Sequence, residues 1–520
     1  MAPSRLSIIT TVIILLLTLF VVILPAINSL LVYAEREILD EVLDHFIQFE
    51  PFLLSRIGLN GSWLMKIDTY ENGLLNEYYS PYYEPTDWST IQVPFQMIAT
   101  YGNSTIWLRK EFKVSPDLHG KRLRLVFWGS WIITDVWLNG RYLGRHEGYF
   151  SPFYFDVSDV VRFDDVNVLV VCVRSPIEEN LRTKKLLEGV FTDSDIKPYP
   201  SWALGRLPYR LERIKPIGLW RGVELLVSED ITIDLTLVDT SYDRTNDIAY
   251  VKVKLLLNNR GYREADISVT LEVRGYNFES KSIKDEFSLT LDAGERKWVE
   301  RTITIEEPKL WWSWDYGEPN LYELHVKAFV DDILQGEQTT IFGIREFKAD
   351  LEKYYCTFTL NGKKIFLRGG AYVSEFLLIR SNRSLFEKDL SLFEEAGINF
   401  IRVYAHVEPF EFYRTTDERG FMVMAESPLI GLYAEDLWGD EYELFKRSAI
   451  KQIVEMVLLL YNNPSVVMWS LHERAPWAVG APSKAGYRLK RLVEMAANTI
   501  RLLGDARPIL LSSGHKDSHI

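Results

Sequence analysis

Cysteine is scarce in this chain: two residues in 520, Cys172 and Cys356. That number excludes a disulfide-built scaffold. The two lie far apart in apolar, strand-like runs and read as buried free thiols rather than a bridge. No CxxC pair or histidine-rich tract offers a structural metal site. His515, Asp517 and His519 are spaced like ligands, but no other ligand points to them, so neither metal nor cofactor is expected. Positive charge is also in deficit. With 59 Lys and Arg against 72 Asp and Glu, the net charge is −13, which disfavours a nucleic-acid partner because phosphate binding needs a basic face. Glycine-rich phosphate loops, solenoid-length repeats and low-complexity segments are missing too.

What is plentiful is apolar and aromatic surface. Hydrophobic residues make up 47% of the chain, with 15 Trp, 27 Tyr and 27 Phe. This suits β-sandwich cores first and sugar platforms second. The length implies about three to four domains.

The sharpest local signal is an apolar stretch over residues 6–34, densest from Val12 to Pro25 and preceded by Arg5. A span of about 20 apolar residues can cross a bilayer. The stretch reads as an uncleaved transmembrane anchor, with a secretory signal ending near Val32-Tyr33-Ala34 as the alternative. Either way, Arg5 before the span and Glu35, Glu37, Asp40 and Glu41 after it place the rest outside the cytoplasm. The expected location is membrane-anchored facing outside, or secreted. Sequons at Asn60, Asn103 and Asn382 are compatible with export.

Beyond the span, Ile38, Val42, Phe46 and Ile47 recur at helical spacing, so residues 35–57 read as an amphipathic helix, serving as a stalk or as a docking helix. Residues 58–228 read as all-β, with many short strands and no helices, which suits a jelly roll. Within it Asn139-Gly140 predicts a tight hairpin, since both central turn positions need positive φ. Residues 229–346 alternate apolar and polar side chains (Val251, Val253 and Leu255 against Lys252 and Lys254), the pattern of an immunoglobulin-like sandwich. From 347 onward β and α patterns alternate. Five strands are expected, at 366–372, 399–404, 421–425, 466–471 and 508–512. Helices are expected at 385–396, 409–419, 442–461 and 486–503, giving a parallel sheet covered on both faces. A closed (β/α)8 barrel needs eight strands and about 250 residues, so 347–520 is expected to be a partial TIM barrel.

Several motifs, in order, resemble glycoside hydrolase family 2, the β-galactosidases, β-glucuronidases and β-mannosidases. Trp107-Leu108-Arg109-Lys110-Glu111-Phe112, the run Asn139 to Tyr149 with Ser151-Pro152-Phe153, and Ile217-Gly218-Leu219-Trp220-Arg221-Gly222-Val223 resemble its sugar-binding jelly roll. Leu310-Trp311-Trp312, Gly317 to Tyr322 and Phe342-Gly343-Ile344-Arg345 resemble its immunoglobulin-like domain and the link to the barrel. Leu367-Arg368-Gly369-Gly370 and Asn462 to Ser470 resemble the first and fourth barrel strands. The His-containing second strand and the Tyr-Asn-Asn-Pro-Ser run look most like β-mannosidase relatives.

The resemblance implies hydrolysis of O-glycosidic bonds by two carboxylic acids, one protonating the leaving oxygen and one attacking the anomeric carbon. The acid is expected at the end of the fourth strand and the nucleophile near the end of the seventh. Counted from Trp469 without a gap, the family's Asn-Glu positions fall on Glu473 and Arg474. Arginine cannot serve as the acid, so Glu473, brought in by a one-residue backbone slip, is the candidate. The competing reading is a Glu473 salt-bridged to arginine. The nucleophile is not expected within the chain, and a second polypeptide completing the barrel is one possible source. Arg402, His406, Glu426, Trp469 and His472 are the candidate substrate-binding residues, and His146 and Glu147 read as structural. The expected function is a family 2-like glycosidase with a β-glycoside partner. The alternative is a non-catalytic surface carbohydrate-binding protein derived from one.

Overall fold

The computed structural model describes residues 24–48, 55–100, 104–178, 181–191, 215–352, 355–431, 433–475, 477 and 484–513. Most of the expected membrane segment, residues 1–23, therefore lies outside the described residues, as do Asn103, His515, Asp517 and His519. No helix among the described residues is long and apolar enough to cross a membrane. The amphipathic helix differs from expectation. It runs over Leu24–Leu43 (α1), and by Ser55–Gly58 the chain is already a strand of the jelly roll. Nor is it a free stalk, because Ile38, Val42, Leu43 and Phe46 are buried in the barrel's helical layer. Its acidic face is pinned there: Lys451 donates to Glu41 at 2.8 Å, Arg447 to Glu37 at 3.1 Å and Asn498 to Glu35 at 3.1 Å. Burying an apolar face is what makes a helix of this length worth forming.

The jelly roll packs a four-stranded antiparallel sheet on a six-stranded one. Strand alternation divides the larger sheet's side chains. Ile106, Leu108, Val136, Leu138, Val171 and Val173 face the sandwich core, and Trp107, Trp137, Val170 and Cys172 face the other way. Asn139 and Gly140 turn the expected hairpin with φ of 53° and 83°. The next domain pairs three strands with four, all antiparallel, over 231–342. Both cysteines are free, but Cys356 is exposed rather than buried.

The barrel domain contributes five parallel strands in sequence order: β1 (Gly369–Tyr372), β2 (Phe400–Val403), β3 (Met422–Glu426), β4 (Val466–Ser470) and β5 (Ile509–Leu510). Between them run α2 (Arg383–Glu395), α3 (Phe410–Arg419), α4 (Gly439–Leu460) and α5 (Lys484–Leu502). The Asn382 side chain accepts from the Leu385 N–H at the start of α2, and Gly420 ends α3 at φ 72°, the two terminators expected of such residues. A small sheet over 347–365 plugs the lower end, where Phe347, Leu360 and Ile365 meet Met422, Met424 and Met468.

Candidate active site

The period of two along each barrel strand sorts the side chains. Ile401, Val403, Val423, Ala425, Val466 and Trp469 face the helices, while Met422, Met424 and Met468 face the axis; in β4 a register shift between Val466 and Met468 breaks the alternation, so that Val466 and Trp469 share a face. Continuing the inward register one step toward the strand ends brings Arg402, Glu426 and Ser470 together. The Arg402 guanidinium forks onto Glu426, with Nη2 at 2.8 and 3.0 Å and Nε at 3.1 Å. Nη2 also donates to Ser513 at 2.7 Å. Glu426 accepts further from the Ala405 N–H at 2.9 Å, from Ser470 at 2.8 Å and from Ser513. Its side chain is wholly buried. The sequence made Glu426 a candidate substrate-binding residue just after the third strand. In the structure it ends β3 itself, and donors occupy its lone pairs, so it orients Arg402 and does not meet substrate.

Beyond β4 the chain stays extended and is held from both sides. Glu473 donates its N–H to Leu429 O at 2.8 Å and its carbonyl receives the Gly431 N–H at 2.8 Å. On the other flank the Ser513 N–H reaches His472 O at 3.0 Å. These bonds fix which residue turns inward. Glu473 is 1% exposed and stands 3.8 Å from Arg402, whereas the Arg474 side chain is half exposed and its φ is +45°. The Arg474 guanidinium folds back to 3.4 Å from the Glu473 carboxylate. So the glutamate takes the inward place, and it is also ion-paired with arginine, through its Oε1 to both Arg402 and Arg474. Positive φ at a non-glycine residue costs energy and gathers at functional sites. Ala405, whose N–H serves Glu426, shares it at +47°.

The other candidates divide. Trp469 is fully buried on the helix-facing side, donates to Asp505 at 3.1 Å and lies under Arg507; it is core, not a sugar platform. His406 is also fully buried. Its Nδ1 lies 2.9 Å from Tyr404 O and its Nε2 2.7 Å from Glu408, which takes the N–H and hydroxyl of Ser374. With both nitrogens engaged it braces the loop after β2 and has nothing left for a sugar hydroxyl. His472 is buried as well, and burial pushes its pKa down to about 3, so the ring is neutral. Its Nδ1 sits 2.9 Å from Glu473 O and must carry the proton, which leaves Nε2 as an acceptor without a partner among the described residues.

Sequence reasoning missed two contributions. Ser470 and Ser513 complete the Glu426 cage, and the alternation that sends Trp469 outward sends Ser470 inward. The jelly roll also reaches the barrel mouth: the Tyr149 hydroxyl accepts from the Val407 N–H at 2.9 Å, and the Val190 N–H donates to Ala405 O at 3.2 Å. No local pattern announces a contact between residues so distant in sequence.

Known family models match the chain domain by domain, in the order of the two sandwiches and the β/α units. The family 2 galactose-binding-like model matches residues 77–202, the glycosyl hydrolases family 2 model 231–345 and that family's TIM-barrel model 354–520. The chain belongs to glycoside hydrolase family 2. Among family 2 relatives, a β-glucuronidase of Bacteroides fragilis is 26% identical over 70% of this chain and 49% of its own length. A β-galactosidase of Thermoanaerobacterium thermosulfurigenes is 25% identical over 80% and 53%. The chain thus spans about half the length of these curated relatives. In fold it is similar to a Bacteroides uniformis β-glucuronidase, with TM-score 0.69, 18% identity, and coverage of 88% of this chain and 52% of that one. A putative β-galactosidase from Bacteroides fragilis gives TM-score 0.70 at 18% identity, covering 89% and 64%.

Proposed function

We propose that the chain belongs to an O-glycosidase acting on β-glycosides, with Glu473 as the carboxylate beside the leaving oxygen. The observation that carries this reading is the inward, buried Glu473 at the end of β4, above Arg402. Barrel enzymes gather their chemistry at the C-terminal strand ends, and Glu473 is the buried carboxylate that follows β4 there. In the retaining mode the second carboxylate stands about 5–5.5 Å from the first. In this reading it comes from barrel strands not among the described residues, in the same or a second polypeptide. His472 Nε2 accepts a sugar hydroxyl, and Arg402 holds Glu473 in place. The substrate is a β-mannoside, β-galactoside or β-glucuronide. The apolar run over 6–34 supports display outside the cytoplasm, anchored or secreted. Hydrolysis of aryl β-mannoside, β-galactoside and β-glucuronide by the protein, with Glu473→Gln beside it, tests the reading; turnover unchanged by that substitution removes Glu473 from the mechanism.

A second reading, carbohydrate binding without turnover, is favoured by the Arg474 contact at 3.4 Å. Arg402 and Arg474 both approach Glu473 Oε1, at 3.8 and 3.4 Å, the arrangement of a structural ion pair. Sugar binding by calorimetry with no hydrolysis supports this second reading.

A further inference from the structure

Between the outer face of the immunoglobulin-like sheet, the link over 342–348 and the lower ends of β4 and β5 opens a cleft of about 640 Å³. This is the end of the barrel away from Glu473, where side chains serve stability rather than catalysis. The lining is cationic although the protein is acidic. Lys252, Lys254, Arg345, Lys348 and Arg507 stand against three carboxylates, Asp239, Glu346 and Asp505, while the whole chain carries a net charge of −13.

Most of these cations have a counter-charge. Lys254 lies 2.6 Å from Asp239 and donates to Leu503 O at 2.7 Å. Lys252 reaches Glu300 and Lys348 reaches Glu346, each at 2.6 Å, and Arg507 Nε lies 3.1 Å from Asp505. Arg345 is the exception. Its Nε donates to Pro464 O and its Nη2 to Val466 O, both at 2.6 Å, and it makes no ion pair with a carboxylate among the described residues. Arg507 Nη1 comes to the same Val466 carbonyl at 3.4 Å. Two guanidiniums therefore converge on one oxygen, and the carboxylate ion-paired there, Asp505, is already on Arg507. Burial, together with the charge of Arg507, holds the Arg345 pKa below the usual guanidinium range.

The lining selects a chemical class. A guanidinium withdrawn from water without a counter-charge is costly, and an anion relieves that cost. Arginine has five N–H donors; the two backbone bonds fix the fork of Arg345 and leave the rest for a ligand. Such a fork matches the oxygens of a carboxylate or phosphate rather than a spherical halide. The hydroxyls of Ser241 and Thr302 also line the cleft, so an ion with several oxygens finds neutral donors beside the charged ones. The acidic surface of the whole molecule repels an extended polyanion, which leaves a compact ion.

We propose that this cleft binds a compact tetrahedral oxyanion, phosphate or sulfate, free or as the end group of a small monoester. The ion takes the guanidinium end of the cleft, supplies the counter-charge that Arg345 lacks and ties the immunoglobulin-like sheet to the floor of the barrel. It performs no chemistry, and the site stands whether or not the barrel turns over.

Thermal melts and calorimetric titrations of the full chain test it, with phosphate, sulfate and glycerol 1-phosphate against chloride at matched ionic strength and pH. At least one oxyanion is expected to bind and to raise the melting temperature with saturation, and chloride is not. General stabilisation by excluded salts does not saturate and is shared by every variant, so saturation and its loss on substitution are the readouts. Glycerol 1-phosphate acting as strongly as phosphate marks a monoester end group, and phosphate or sulfate acting alone marks the free ion. Ala506 is exposed and lines the cleft beside Arg507, so Ala506→Glu adds a carboxylate there without touching the buried bonds of Arg345. It is expected to weaken oxyanion binding at least about tenfold, the size of one hydrogen bond to a charged group. Ala506→Gln has the same bulk without the charge and is expected to bind nearly as the parent does. Arg345→Gln is expected to lose the saturable response. Saturable binding of none of the three oxyanions overturns the proposal. So does binding indifferent to Ala506→Glu, which would place the ion elsewhere on the surface.

Discussion

Glu473 and Arg474 are adjacent in sequence and differ in burial, the glutamate 1% and the arginine 51% exposed along their side chains, with their charged groups 3.4 Å apart. One residue of backbone register thus decides whether an acid or a cation turns inward. Glu473→Gln is expected to lower any glycosidase turnover of the protein by at least about 100-fold, the usual contribution of a general acid, whereas Arg474→Gln should change it by less than about tenfold. Initial rates on aryl β-glycosides check both, and equal losses would give the acid role to neither residue.

Arg402 is the cation that neutralises a fully buried Glu426. Removing one partner of such a pair strands the other's charge, at a cost of about 3–5 kcal/mol. Arg402→Ala should therefore lower stability by that order in chemical denaturation, while Arg402→Ala combined with Glu426→Gln should recover part of it.

Gly189 stands where the jelly roll meets the barrel mouth. Its φ is +54°, and a Cβ there would lie 1.7 Å from the Ala405 carbonyl oxygen. Gly189→Ala is expected to cost more than about 1 kcal/mol, because alanine at positive φ is strained even without the clash. Gly370→Ala, where a Cβ meets nothing within 4 Å, should stay within about 0.5 kcal/mol. Thermal melts of the two variants separate backbone crowding from a general intolerance of glycine replacement.

Glu455 on α4 is buried against the jelly roll, and burial raises its pKa to about 7. It accepts from Ser151 at 2.7 Å, lies 4.0 Å from His146, and has Lys451, Glu147 and Glu41 as its charged neighbours. The folded state therefore keeps a proton that the unfolded chain has lost above about pH 4.5, so this group's stabilisation is full below that pH and fades as pH rises through about 7. His146 works the other way: burial pushes its pKa down to about 3, and the stability it withholds returns as pH rises toward 6.5. Comparison with Glu455→Gln isolates the first effect. The parent's stability relative to the variant should fall by about 3 kcal/mol between pH 4.5 and 7, and a pH-independent difference would show that Glu455 does not hold the proton.

Much of the architecture was legible because its signals are local. The period of two in the sandwiches, the β–α alternation after 347, the Asn139-Gly140 turn and the end of the helix at 419 each depend on a few neighbouring residues, and each lies where the pattern placed it. Arg402 was named in advance from the resemblance to the family, which has an arginine at the end of its second strand, and the same alternation turns it inward. The amphipathic helix was misplaced by about ten residues, because an apolar stretch that runs on from α1 hides the helix's own start.

By itself, then, the sequence determined the elements, their order and the chemistry available at the strand ends. Only the tertiary structure decided which side chains use it. Past the last ladder hydrogen bond a strand has no period, so the facing of Glu473 is set by Leu429, Gly431 and Ser513 from neighbouring strands. Burial likewise depends on what packs from elsewhere, and it withdrew His406 and Trp469 from the substrate and filled the lone pairs of Glu426. The cleft beside Arg345 and Arg507 exists because the immunoglobulin-like sheet, the link over 342–348 and the lower ends of β4 and β5 meet there, a proximity that only the folded chain creates.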